Sequence, residues 1–141
     1  LSLHDALPIY DTVYLEKPLI IMIGGIFIFI FKKGRGENMK KLFISQPMKG
    51  KTDEEILEER QKAIKSAEKM VGEPVEVIDS FFQNAPADAK PLWFLGKSLE
   101  LLAGADIAYF VKGWQDARGC KIENTCAIEY GIPVIEDYTA E

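Results

Sequence analysis

Glu123 is the residue in this chain whose surroundings ask most of its chemistry. It falls early in a helical pattern over residues 120–130. Its neighbours at i−3 and i+4 are Cys120 and Ala127, with Tyr130 a turn further on. A carboxylate on such a stripe of small and apolar groups is partly desolvated, and its protonation is tuned by burial. The other reading is a solvated acid in the first turns of a helix, where carboxylates are favoured anyway. Spacing alone leans to that second reading.

Two loops bring further polar chemistry. Ser45-Gln46-Pro47-Met48-Lys49-Gly50 supplies a hydroxyl, an amide and the start of a helix, a set able to hold sugar hydroxyls or a phosphate. It lacks the Gly-x-x-x-x-Gly-Lys-Ser/Thr spacing of a Walker A loop, and a plain Pro/Gly turn before a Thr52 cap is the alternative. Gly113 to Gly119 carries Trp114, whose ring offers a flat surface for a base, and Arg118, which can fork onto phosphate or carboxylate. Here the alternatives are a Trp114 that covers the end of the core and an Arg118 that is only a solvated charge.

Composition narrows the field. The chain has 141 residues with 17 basic and 22 acidic side chains, a net charge of −5, which argues against an electrostatic binder of nucleic acid polymers. Its single histidine, His4, stands near the N-terminus, so a multi-histidine metal site and His-based nucleophilic catalysis are excluded from the body of the chain. Cys120 and Cys126 lack Cys-x-x-Cys spacing, and free thiols in a reducing, cytoplasmic setting are expected.

The elements that would position these residues follow from periodicity. Strands are expected over 41–45, 75–78, 107–111 and 133–135. Helices are expected over 52–71, 91–103 and 120–130, the first opened by a Thr52/Glu55 capping box and closed by Gly72. In the first helix Ile56, Ala63, Ile64, Ala67, Met70 and Val71 recur at helical spacing. Residues 79–90 form a polar loop that carries Asp79, and 112–119 a second loop. Alternating strands and helices with short connections predict a small doubly wound parallel α/β sheet, flavodoxin- or Rossmann-like, with strand order 2-1-3-4 and flanking helices. Ligands in such sheets bind beyond the carboxyl ends of the strands where the order reverses, between the 46–52 and 112–119 loops.

Residues 1–38 read differently. Leu1 to Ile9 looks like an in-frame adapter translation, Leu19 to Phe31 is an apolar run with two glycines, and Lys-Lys-Gly-Arg-Gly-Glu-Asn-Met is what a purine-rich ribosome-binding site encodes. The expectation is a non-native leader over 1–38 and a domain over 39–141. A short membrane anchor or an uncleaved signal segment at 19–31 is the rival, although 13 residues fall short of the about 20 a spanning helix needs.

Gly119-Cys120-Lys121-Ile122-Glu123-Asn124-Thr125-Cys126-Ala127 with Gly131-Ile132-Pro133-Val134, together with Leu42 to Met48 and Gly104 to Ile107, resembles the corresponding segments of nucleoside 2-deoxyribosyltransferases. Gly-Trp-x-x-x-Arg-Gly-x-x-x-Glu at 113–123 is closer still to a related family of unknown function from phage and bacterial genomes. The resemblance implies that Glu123 is a nucleophile toward the anomeric carbon of a nucleoside or nucleoside monophosphate, with no cofactor or metal. It implies Ser45, Gln46, Pro47, Met48, Asp79, Trp114, Arg118 and Gly119 around the substrate, and a homo-oligomer, with Phe81-Phe82 and Pro91 to Phe94 as candidate contacts. The chain departs from the transferases at the base-handling acids. One falls on Ala117 with Asp116 adjacent, the other on Leu99 with Glu100 adjacent. Asp116 is therefore the second candidate catalytic residue. Whether Asp79, Asp116 or Glu100 reaches the crevice separates an N-glycoside-cleaving enzyme from a non-catalytic nucleotide-binding module, a sensor or sponge that a phage could encode.

Overall fold

A computed structural model describes residues 39–139 and, before them, the backbone of strands β1 (Leu19–Ile23) and β2 (Ile26–Ile30). The chain divides into two units, Leu1–Met39 and Lys40–Glu141. In the first, β1 and β2 pair antiparallel with Leu19 opposite Ile30 and Ile23 opposite Ile26, as their β-branched and aromatic residues favour. The rest of the leader expectation, including the adapter-like start, His4 and the purine-encoded stretch, lies outside the described residues. Among the described residues no helix is long and apolar enough to cross a membrane.

The second unit holds β3 (Lys40–Ser45), α1 (Asp53–Val71), β4 (Val75–Val77), α2 (Pro91–Leu102), β5 (Ile107–Phe110), a 3-10 turn (Trp114–Asp116), α3 (Arg118–Glu129) and β6 (Val134–Glu136). All four strands are parallel, in the order β4-β3-β5-β6, which counted from Met39 is 2-1-3-4. The order reverses between β3 and β5. Leu42 pairs with Val77 on one side and Ile107 on the other, and Ser45 pairs with Phe110 at the carboxyl end.

Alternation along the strands divides the core into two layers. Leu42 and Ile44 meet Ala63 and Ala67 of α1, with Tyr109 and Val111 beside them. Phe43 points the other way and joins Ala108, Phe110, Leu102 of α2, and Cys120 and Ala127 of α3. β3 and β5 are buried along most of their length because helices cover both sides.

α1 begins with a complete capping box. The Glu55 backbone N–H donates to Thr52 Oγ1 at 3.2 Å, and the Thr52 N–H donates to a Glu55 carboxylate oxygen at 2.8 Å. It ends at Gly72, whose φ of 79° is the left-handed conformation glycine adopts freely. Met70, expected on the buried stripe, is instead exposed, while Val71 of the same turn packs against the core. Thr52→Ala removes half the box, and a urea-unfolding midpoint should report a loss of about 1 kcal/mol. An unchanged midpoint would mean that solvent caps α1 equally well.

α3 opens two residues earlier than its periodicity suggested. The chain turns at Gly113, at a φ of 84°, passes through the 3-10 turn, and enters the helix at Arg118, with the Lys121 N–H donating to Ala117 O at 3.0 Å. Arg118 and Gly119 therefore belong to the first helical turn and not to a loop.

Candidate functional site

A cleft of about 290 Å³ opens at the carboxyl ends of β3 and β5, the reversal point of the sheet. Its polar base is built by three elements. Ser45 ends β3, Glu123 lies in the second turn of α3, and Ser98 projects from α2. Ser45 Oγ donates a hydrogen bond to a Glu123 carboxylate oxygen, and Ser98 hydrogen-bonds the same side chain. Glu123 is 7% exposed. Burial pushes its carboxyl above the ordinary range, and the Ser45 and Ser98 hydroxyls oppose that rise by solvating the anion.

The loop after β3 forms one rim through Gln46, Pro47 and Met48. Gln46 reaches back to α1, where its Nε2 donates to Ile56 O at 3.0 Å and to Glu59 at 2.8 Å, and Lys51 clamps Glu59 with contacts of 2.7 and 2.8 Å. These contacts anchor the loop from behind. The apolar wall comes from Phe81, Phe82, Phe94 and Leu95. Phe82 meets Trp93 edge-on with ring centres 6.0 Å apart, and Trp93 meets Phe94 likewise at 5.1 Å, so the wall braces itself. The last side is the start of α3, with Ala117, Gly119 and Cys120. No side chain caps that helix end, and the first amides of a helix have no partner within it. Cys120, pressed into the apolar layer beside Glu123, has its thiol pushed up to about 11, chiefly by burial.

The structure thus brings together Ser45, Gln46, Pro47, Met48, Gly119 and Glu123 of the residues read from the sequence. The others stand apart from the cleft lining. Trp114 is 8% exposed and stacks in the core against Phe110, at a ring distance of 5.6 Å, so the core-covering alternative holds and no flat face is left for a base. Arg118, Asp116, Asp79 and Glu100 are exposed and none lines the cleft. Asp79 instead closes a local turn by accepting from the Phe81 N–H at 3.3 Å. Glu100 accepts from Lys97 on the surface of α2. Among the described residues no cluster of His, Cys, Asp and Glu is placed to hold a metal ion.

Five participants carry roles that the sequence does not announce. Ser98 and Ser80 carried no signal, being single serines in a helix and a loop. Phe81 and Phe82, expected as candidate contacts between chains, also wall the cleft. Arg60 is the fifth. It is 6% exposed, donates through Nη2 to Ser80 Oγ at 3.2 Å and Ile78 O at 3.4 Å, and so fixes the segment leaving β4, while Ser80 donates on to Ile44 O at 3.1 Å. Burial lowers its guanidinium's proton affinity, and the charge of Asp79 acts against that. A signal existed: Ile56, Arg60, Ala63 and Ala67 form one stripe at helical spacing, and a charge on that stripe has to be used.

Compared with family models, with curated proteins and with solved structures, the chain matches none. The class that fold and site define is an α/β domain with a doubly wound parallel sheet and a carboxylate-bearing cleft at its reversal point.

Proposed function

We propose that this cleft binds a nucleoside or nucleoside monophosphate and that Glu123 attacks the anomeric carbon of its sugar, so that the N-glycosidic bond is cleaved or its glycosyl group transferred. The observation that carries the reading is the placement of Glu123. A buried carboxylate, oriented by two hydroxyls at the ligand-binding end of the sheet, is the arrangement that meets an oxocarbenium-like transition state and forms a glycosyl ester. The apolar wall suits a base, and the uncapped start of α3 suits a phosphate. The resemblance to nucleoside 2-deoxyribosyltransferases points the same way. The proposal includes self-association through the exposed Pro91–Leu92 edge, where Leu92 is 76% exposed.

Incubation with a panel of nucleosides and nucleotides, followed by chromatography for free base, tests this. Release from at least one member supports it, and binding without release from any removes the catalytic part. A specific observation favours that second reading, a binding module without catalysis: Asp79, Asp116 and Glu100 all stay out of the cleft.

Arg118 lies in the first turn of α3, at the end proposed for phosphate. Arg118→Ala should weaken monophosphate binding by about 1.5 kcal/mol, the low end for a charge-assisted bond at an exposed site, and leave nucleoside binding nearly unchanged. Calorimetric titration with both ligands checks it, and equal losses would assign Arg118 to structure alone.

A further inference from the structure

The cleft lining carries a single ionisable carboxylate, that of Glu123, and no basic side chain among the described residues. Lys51, the basic group whose charge reaches Cys120, is held on Glu59. A buried carboxylate with no cation against it is costly when ionised. The same cleft is lined by the aromatic rings of Phe81, Phe82 and Phe94, which can attract a cation and offer no proton. A neutral base that leaves a sugar takes the bonding electron pair with it and needs a proton, and Asp79, Asp116 and Glu100 are not there to give one.

We propose that the cleft takes an N-glycoside whose base is already cationic, a pyridinium or N-alkylated purinium nucleotide. This rests on the reading of Glu123 as nucleophile. The positive ring would sit against the aromatic wall, and its charge would supply the counter-ion that Glu123 lacks. A Glu123 oxygen bonds to the anomeric carbon while the bond from that carbon to the ring nitrogen breaks. The electron pair stays on nitrogen, and the base departs neutral without a proton. Water then bonds to the anomeric carbon, the ester C–O bond breaks, the Glu123 carboxylate is restored, and the proton from water passes to solvent. The missing acid, which counts against cleavage of ordinary nucleosides, is what this substrate class does without.

Matched pairs differing in ring charge test the inference on the full chain. Nicotinamide mononucleotide is set against its reduced, neutral form, and 7-methylguanosine 5′-monophosphate at pH 6 against guanosine 5′-monophosphate. Both kcat/KM for base release and Kd by calorimetry are measured. The cationic member should be favoured by about tenfold or more in each pair, and Phe82→Leu should narrow the ratio while Glu123→Gln abolishes release. A ratio below about threefold in both pairs overturns the charge inference. If neutral members are bound and cleaved as well as cationic ones, only that inference falls and the N-glycoside reading stands. If no member of either pair binds, both fall.

Discussion

Glu123→Gln should leave a folded protein that still binds nucleotide and releases base more slowly by several orders of magnitude. The amide keeps the volume and can still hydrogen-bond Ser45, but it has no oxygen anion to form the ester, and the two-step route is lost. Stability gives an independent readout. In the folded chain burial raises the Glu123 carboxyl above its unfolded value, so the native state holds the proton more tightly. Its contribution is therefore full below the unfolded carboxylate range and fades as pH rises through the raised value. As pH rises through that raised value the wild type has to ionise a buried group, while the glutamine variant does not. The variant should melt at the same temperature or higher at pH 7, and the difference should shrink or reverse at pH 4. A variant with wild-type base release would remove Glu123 from the chemistry. One that melts lower at pH 7 with release unchanged would make it a structural acid.

The second large effect concerns the core. Phe43 is fully buried in the middle of the central strand, between Ala108, Phe110 and Leu102. Phe43→Ala should cost about 3–5 kcal/mol, because the helices on that side cannot collapse into the space of a ring. For a domain near the low end of the usual 5–15 kcal/mol this approaches the whole stability. Urea unfolding followed by circular dichroism checks it, with Phe43→Leu as the variant that stays folded and loses less. A loss below about 1 kcal/mol for the alanine variant would mean that the layer beneath the cleft is not packed as described.

The sheet was legible in the sequence because its signals are local and repeat. Leu42 to Ile44 and Ile107 to Phe110 are continuous apolar runs between helical patterns, and crossover rules leave few orders for four such strands. Ser45 to Met48 was legible for the same reason, since the topology alone sends that loop to the reversal point. Glu123 was only half legible. Its stripe implied burial, but nothing local announced that Ser45, 78 positions away, would bond it. Trp114 shows the limit most plainly. A tryptophan flanked by Gly113, Gln115 and Asp116 looks exposed, and a single tight turn suffices to swing the ring back onto Phe110. The sides of Asp79 and Asp116 were undecidable for a like reason, because an irregular connection has no period from which a facing direction can be read.

The thiol of Cys120 gives the cleft one more property. Oxidants and alkylating reagents act on the thiolate, and with a pKa of about 11 only about one molecule in ten thousand carries it at pH 7. The sulfur therefore sits in the wall as bulk and polarisability, next to the one group that is reactive. Reagents that act through a thiolate should therefore modify Cys120 slowly, and the residue serves the cleft by packing.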